Sequence, residues 1–220
     1  MTSDNPLFSP KDQLLSITGP CGRLELMTRS GGAEDNNLKD WLVVICHPHP
    51  QHGGTMHNKV VTTVARAARE QGLDSLRFNY RGVGGSEGEY GDFEGEREDF
   101  RSLIEWVIKE TGKSRFILAG FSFGSAIVAL ESKDVSETEH IVLIAPPVER
   151  YVYPEQFTTP VSVIQGADDE IVEADAVTEW VHKVKTPFDY YYSSDTSHFF
   201  HGKLVELRSK LRAIFAQATS

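Results

Sequence analysis

The sequence predicts an α/β protein with a largely parallel central sheet and helices on both faces. Trp41 to Cys46 and Phe116 to Ala119 are continuous apolar runs, which are typical of strands buried on both faces. Between such runs lie segments whose apolar residues recur at helical spacing, for example Phe100, Leu103 and Val107. Strands that alternate with helices favour parallel pairing and place a functional site at the carboxyl ends of the strands.

The individual elements follow from the same patterns in chain order. A polar loop from Ser30 to Asp40 separates two short opening strands from the rest of the sheet. The predicted strands are Leu14 to Thr18, Arg23 to Met27, Trp41 to Cys46, Ser75 to Tyr80, the run before Gly120, His140 to Ala145, Val161 to Gln165 and Phe188 to Tyr192. The predicted helices are one that begins after the N-cap Asn58, one from about Gly95 to Thr111, one through Ala126 to Leu130, then Ala174 to Lys183 and Lys203 to Ala216.

Gly120-Phe121-Ser122-Phe123-Gly124 is the motif that says most about function. It follows one apolar run and opens another, which indicates a strand, a sharp turn and a helix. In that context G-x-S-x-G forms a nucleophile elbow, where a strained serine presents its hydroxyl above the sheet. Ser122 is therefore the candidate nucleophile.

A serine attacks a carbonyl only when a base removes its proton and a third group orients that base. His198 follows the strand that ends near Tyr192 and precedes the last helix, so it is the candidate base. The acid lies in the turn after the strand Val161 to Gln165, where the chain offers Asp168 and Asp169. The order serine, acid, histidine along the chain is that of the α/β-hydrolase triad.

These features resemble the α/β-hydrolase superfamily, and more narrowly its small, capless, dienelactone-hydrolase-like serine hydrolases. The resemblance extends from about Leu14 to the end of the chain and implies an α/β-hydrolase fold without a cap domain. In that family the acid lies three residues after the turn glycine and three before a valine, which is Asp169. Dienelactone hydrolases carry cysteine in the elbow, so Ser122 favours simple ester hydrolysis. Besides the elbow, the resemblance is carried by His47-Pro48-His49-Pro50, Gly53 to Lys59, Arg77 to Ser86, Ala145-Pro146-Pro147 and Ser197-His198-Phe199-Phe200.

Acyl transfer needs preorganised donors for the oxyanion. One donor is expected to be the backbone N–H of Phe123, the residue after the nucleophile. The other is expected in the loop after Trp41 to Cys46, where the prolines on both sides of His49 have no N–H and leave His49 or Gln51. The family resemblance implies His49, although proline stands at position 48 where the superfamily usually has glycine.

Two other readings stay open. The loop His47-Pro48-His49-Pro50-Gln51-His52 is similar to the H-x-H-x-D-H motif of zinc hydrolases, so His47, His49 and His52 are the alternative metal ligands. Glutamine replaces the expected carboxylate in that motif, which counts against zinc. The remaining alternative is a noncatalytic binding scaffold that kept the fold. The serine mechanism itself requires no cofactor and no metal.

Composition and length restrict the partners. The 220 residues fit a single domain, residues 1–220, and the net charge of −10 makes nucleic acids and anionic membranes poor partners. The only cysteines are Cys21 and Cys46, and Met1 to Gln13 lacks the features of a signal peptide, so we expect a cytoplasmic protein without disulfides. The expected partner is a small ester substrate, and the expected state is a monomer or small homo-oligomer.

The segment between Pro146 and Pro160 is where larger α/β-hydrolases insert a cap. The few residues available, broken by four prolines, are predicted to form a loop. Tyr151, Tyr153 and Phe157 either line a shallow acyl pocket there or pack against the sheet. An open cleft of this kind favours short, water-soluble esters over long lipid chains.

Overall fold

A computed structural model describes residues 6–33 and 36–220 of the chain. Residues 1–5, the start of the N-terminal segment interpreted above, lie outside the described residues. So do residues 34 and 35 of the predicted polar loop, which in its described part contains a short 3-10 helix at Asn36–Leu38.

Within the described residues, eight strands form one sheet in the order β1-β2-β4-β3-β5-β6-β7-β8. The strands β1 and β2 pair antiparallel, as do β2 and β4, and all other neighbours are parallel. The sequence explains this division, because every residue of β3 is buried whereas β1 alternates exposed positions with partly or fully buried ones, such as Ile17. The strands are β1 Gln13–Gly19, β2 Gly22–Arg29, β3 Trp41–Cys46, β4 Asp74–Phe78, β5 Arg115–Phe121, β6 Thr138–Ile144, β7 Val161–Gly166 and β8 Phe188–Ser193.

In the part of the chain that the structure describes, five α-helices cover the two faces of the sheet, as the sequence predicts. Two of them pack with one hydrophobic cluster through residues such as Val64 and Leu211, and the other three pack with the opposite cluster through residues such as Leu103 and Ile127. The first pair is α1 Lys59–Glu70 and α5 Leu204–Ala218, and the second group is α2 Glu94–Thr111, α3 Phe123–Glu131 and α4 Ala174–Val181. The predicted fold class is confirmed.

Most predicted boundaries agree with the structure to within two residues. The N-cap Asn58 is confirmed, because its side chain accepts a hydrogen bond of 2.8 Å from the N–H of Val60. One strand ends earlier than predicted, since β4 stops at Phe78 and not at Tyr80. The N–H of Asn79 still donates to the carbonyl of Glu25 on β2, but that of Tyr80 donates to the ring of His47, so the pairing is not continued at Tyr80.

The loops after the parallel strands meet at the carboxyl edge of the sheet. No helix or strand is present between β6 and β7, at residues 145–160, so no cap is built over this edge from that segment. Among the described residues, no helix combines the length and apolarity needed to cross a bilayer.

Candidate active site

The predicted elbow is present as a strand, a single turn residue and a helix. Strand β5 ends at Phe121, helix α3 begins at Phe123, and Ser122 between them has φ 53° and ψ −121°. A positive φ is uncommon for a residue with a Cβ atom and costs about 1–3 kcal/mol, so the surrounding packing must hold it. A hydrogen bond of 2.8 Å from the N–H of Ser122 to the carbonyl of Ile144 contributes to this.

Both glycines of the motif are required by close backbone approach. A Cβ atom on Gly120 would lie 2.3 Å from the carbonyl oxygen of Gly124. A Cβ atom on Gly124 would lie 2.5 Å from the carbonyl oxygen of Cys46 and 2.6 Å from that of His47. The elbow therefore folds tightly against the loop after β3, which brings the serine next to the His47 to Gln51 segment.

His198 and Asp169 form the buried part of the site. The Nδ1 atom of His198 lies 3.0 Å from Oδ1 and 2.9 Å from Oδ2 of Asp169. The imidazole side chain is 2% exposed and the carboxylate side chain 0% exposed. With the Nδ1 proton assigned to face the carboxylate, the Nε2 atom is free to accept a proton.

The carboxylate of Asp169 is held by four groups. It accepts hydrogen bonds from the N–H groups of Ile171 and Val172 and from the amide of Gln165, in addition to the contact with His198. Burial would raise its pKa, but the hydrogen bond and charge of His198, with the two backbone amides, lower the pKa below its usual value. The carboxylate is therefore ionised wherever the histidine has to act as a base.

The other candidate acid is Asp168. It is exposed, and its backbone N–H donates to the carbonyl of Thr196, which joins the acid loop to the histidine loop. Of the two acids that the sequence left open, Asp169 is the one whose carboxylate contacts His198.

The histidine loop has a further support that the sequence did not reveal. The carboxylate of Glu170 accepts a hydrogen bond of 3.0 Å from the backbone N–H of His198. The rings of Phe121 and Phe199 each lie with their centres 5.0 Å from that of the imidazole. The turn contains three consecutive acidic residues, Asp168, Asp169 and Glu170, and this pattern indicated that one of them has a role. The sequence could not show that Glu170 binds the N–H of His198, because this contact depends on how two distant loops pack together.

Ser122 is 8% exposed and lines a cleft of about 460 Å³ together with His198. No hydrogen bond joins the Ser122 hydroxyl to the His198 imidazole in the described structure. In free enzymes this contact is often long and tightens when substrate binds. The residues that line the cleft are Pro48, His49, His52, Gly53, Gly54, Asn58, Ser122, Phe123, Pro147, Arg150, Tyr151, Ile171, His198 and Phe199.

Both predicted oxyanion donors border this cleft. The N–H of Phe123 is in the first turn of α3, where backbone N–H groups have no partner within the helix. Among the described residues, the N–H of His49 also donates to no protein group. The rings of the two residues lie 4.8 Å apart between centres, so the elbow and the His49 loop are in direct contact.

The His47 side chain has a structural role. Its Nδ1 atom lies 2.6 Å from the carbonyl oxygen of Pro48, and its Nε2 atom accepts from the N–H of Tyr80. Burial lowers its pKa to about 3, so it is neutral. Since both ring nitrogens are engaged by the backbone, His47 has no lone pair for a metal, and the described residues include no cluster of three or more potential metal ligands.

The loop after β6 is joined to the elbow by hydrogen bonds. Tyr153 is buried, and its hydroxyl lies 2.7 Å from that of Ser125, which in turn donates to the carbonyl oxygen of Ser122. Tyr151 lines the cleft, whereas Phe157 is buried beside Trp180 in the core. Of the three aromatic residues in this loop, Tyr151 alone fits the predicted acyl pocket.

The loop after β4 is fixed by ion pairs. Arg81 is buried and bonds the carboxylate of Asp99 through both its backbone N–H and its guanidinium. The carboxylate of Asp99 and that of Glu98 raise the pKa of the arginine against the effect of burial. Arg81 therefore anchors this loop to helix α2. Asn79 links the same loop to the segment after His49, because its side-chain oxygen accepts from the N–H of Met56.

Comparisons with known proteins agree with this geometry. The model of the Hydrolase_4 family, described as serine aminopeptidase S33, matches residues 39–154, just over half of the chain. A lidless α/β serine hydrolase from Xanthomonas campestris is 38% identical, with 95% of each chain covered and a TM-score of 0.84. An α/β serine hydrolase homologue from Coxiella burnetii is 40% identical over 94% of this chain and 98% of its own, with a TM-score of 0.85.

A protein of Rickettsia prowazekii, itself uncharacterized, is 32% identical over 201 residues, which cover 86% of this chain and 83% of that protein. The expected capless α/β-hydrolase is therefore confirmed at the level of fold and family. The narrower likeness to dienelactone hydrolase stays a prediction.

Proposed function

This chain belongs to the Hydrolase_4 family of serine α/β-hydrolases, and we propose that it hydrolyses short carboxylic esters through an acyl-enzyme on Ser122. One observation carries the proposal. A strained serine at the start of a helix shares a cleft with a buried histidine whose Nδ1 atom is held by an ionised carboxylate. Activation of a hydroxyl needs a base near the serine and a third group that orients this base, and the cleft supplies both.

In the proposed mechanism, His198 removes the proton from Ser122 as the hydroxyl oxygen attacks the ester carbonyl. Asp169 keeps the imidazole in its orientation and stabilises the imidazolium that forms. The N–H groups of Phe123 and His49 bind the oxyanion, and His198 returns the proton to the leaving alcohol. Water, activated by the same histidine, then attacks the acyl-enzyme and releases the acid. A thioester can follow the same path.

Short substrates are favoured by the architecture of the cleft. Its volume of about 460 Å³ lies toward the lower end of the usual range for small-molecule sites, roughly 300–1,000 Å³. The segment at residues 145–160 contributes no covering helix. We expect acetyl to hexanoyl esters to be cleaved faster than long-chain esters, and a maximum near palmitoyl length would contradict this.

The family description raises aminopeptidase activity as a second candidate. An aminopeptidase has to bind the ammonium group of its substrate, for which a carboxylate is the usual partner. None of the residues that line the cleft is Asp or Glu. The cleft therefore supports ester hydrolysis better than removal of N-terminal amino acids.

The test compares 4-nitrophenyl acetate and butanoate with alanyl and leucyl 4-nitroanilides, using the wild type and Ser122→Ala. We expect ester turnover that the substitution removes, with little cleavage of the anilides. Faster cleavage of the anilides would replace the esterase proposal by the aminopeptidase one. Ester turnover that survives in Ser122→Ala would contradict the acyl-enzyme.

The zinc alternative has its own test. Dialysis against a strong chelator should leave ester turnover unchanged, and His49→Ala should lower it only modestly because alanine keeps the backbone donor. Loss of activity on chelation, with recovery on addition of zinc, would favour the metal mechanism.

A further inference from the structure

Arg150 is the feature of the cleft that the serine mechanism does not use. It lies in the loop after β6, is exposed, and lines the same cleft as Ser122. One N–H of its Nη2 atom donates to the carbonyl oxygen of Ile171, 3.0 Å away. Ile171 also lines the cleft, so this hydrogen bond holds the guanidinium at the cleft wall.

Among the described residues that line the cleft, Arg150 is the only one with a full formal charge. This is notable because the chain as a whole has a net charge of −10. Within the described residues, no carboxylate lies close enough to Arg150 to form a salt bridge, although most other arginines have such a partner. A guanidinium with unused donors is a strong binding group for a carboxylate.

Arg150 also borders a second groove, on the other side of its loop. That groove is lined by Tyr153, Trp180 and Lys183, with the acidic residues Glu149 and Glu179. Its mixed charge gives no preference for an anion. The guanidinium donates a hydrogen bond to Ile171, which lines the cleft of Ser122 and does not line this groove. The guanidinium is therefore directed toward the cleft of Ser122.

The charge of Arg150 reaches groups on both sides of the cleft. It contributes to the lowered pKa of His49, after the larger effects of burial and of His52. It also opposes the rise in the pKa of Tyr151 that burial causes. A negative group on an ester bound in this cleft would therefore be attracted by Arg150.

We propose that the substrates are esters that carry a carboxylate, and that Arg150 binds this carboxylate beside the scissile bond. The inference rests on the proposed esterase function and adds the substrate class. A single guanidinium with one N–H already engaged matches a monoanion, whereas a phosphate dianion would require more cationic groups. Arg150 is then a specificity-determining residue of the esterase.

The experiment uses two pairs of isosteric esters in which only the charge differs. Monomethyl glutarate and methyl 4-carbamoylbutanoate place the charge on the acyl side, and 4-acetoxybenzoate and 4-acetoxybenzamide place it on the alcohol side. The rates kcat/KM are measured for the wild type, Arg150→Gln and Arg150→Lys at low and high salt. Arg69→Gln is the control, because Arg69 is exposed on α1, away from the cleft, and its loss changes the net charge equally.

We expect the wild type to prefer the charged member of at least one pair by about 5- to 10-fold, mainly through KM, with a smaller preference at high salt. Arg150→Gln should remove the preference while the neutral esters react at nearly the original rate. Arg150→Lys should keep part of it, and Arg69→Gln should keep all of it.

The outcomes separate this inference from the function on which it rests. If the neutral esters are hydrolysed but neither charged ester is preferred, or if the preference survives in Arg150→Gln, the inference is wrong and the esterase proposal stands. If the wild type hydrolyses none of the four esters, the esterase proposal itself fails.

Discussion

The two ends of the sheet hold the same three residue types in different geometries. At the carboxyl end are Ser122, His198 and Asp169. At the amino end is a groove of about 310 Å³. Beside it, the Nε2 atom of His140 on β6 lies 2.9 Å from the hydroxyl oxygen of Ser162 on β7. Asp189 on β8 is the register partner of Ser162. A composition of serine, histidine and aspartate therefore does not by itself make a catalytic site.

The two groups of residues differ in geometry and in access to a cleft. Ser162 is the second residue of the regular strand β7 and is 1% exposed, whereas Ser122 has a positive φ and borders a cleft. Within the described residues Asp189 acts on His140 through its charge, and no hydrogen bond joins the two side chains. Burial lowers the pKa of His140 to about 4, so this histidine is a neutral structural group.

The largest effect is expected from the two serines. Ser122→Ala should lower ester turnover by at least about 1,000-fold, because the acyl-enzyme cannot form. Ser162→Ala should leave turnover within about 2-fold and cost about 1 kcal/mol of stability through the lost hydrogen bond. Turnover of a short 4-nitrophenyl ester and urea unfolding measure the two effects. A large rate loss in Ser162→Ala without unfolding would contradict the comparison.

The histidines should differ in the same direction. His198→Ala should remove most turnover while the protein stays folded, since the imidazole lies at the wall of a cleft. His140→Ala should instead lower the melting temperature and leave the turnover of the folded fraction nearly unchanged. The check is circular dichroism beside the ester assay, and equal activity of wild type and His198→Ala would rule out the proposed base.

Replacement of the aspartates is expected to lower ester turnover less than replacement of Ser122, and to differ clearly between Asp169 and the other two. Asp169→Asn should slow turnover by roughly 100- to 10,000-fold, because the imidazole loses its orienting carboxylate. Asp168→Asn and Asp189→Asn should each change it by less than about 3-fold, since neither carboxylate bonds His198. Steady-state kinetics of the three variants decide the ranking, and a larger loss in Asp168→Asn would move the acid to that residue.

The smallest effect concerns the pH dependence of stability. The pKa of His140 is about 4 in the folded protein, below the ordinary value of 6.5, so as the pH falls between these values the unfolded chain takes up a proton that the native state does not. Stability is therefore lost in this window. His140→Gln should remove about 1.4 kcal/mol per pH unit of that loss. Urea unfolding at pH 6.5 and 5 checks this, and identical slopes for wild type and variant would refute it.

The fold, and the placement of the candidate residues Ser122 and His198 in loops at the carboxyl ends of strands, could be predicted from the sequence because they depend on local signals. The elbow is read from Gly120 to Gly124 and the surrounding apolar runs, and the resemblance placed the acid at Asp169. Contacts between distant loops were not predictable in the same way. Glu170 reaches the N–H of His198 across 28 positions, and Tyr153 reaches Ser125 across the same number.

Arg150 belongs to this second group. Its loop was recognised as the place where a cap is missing, and its aromatic residues were considered as pocket residues. The direction of the guanidinium depends on the hydrogen bond to Ile171, which requires the folded arrangement of the loops after β6 and β7. The sequence shows that residue 150 carries a positive charge, but the position of this charge in the cleft is known only from the folded structure.

The central claim is that the elbow serine, and no other serine of the chain, is activated. Incubation of the native protein with a fluorophosphonate, followed by digestion and mass spectrometry, tests this most directly. We predict rapid, stoichiometric labelling of the peptide that contains Ser122, parallel loss of ester turnover, and no label in the peptide of Ser162. Full activity without label on Ser122, or inactivation through another residue, would contradict the account.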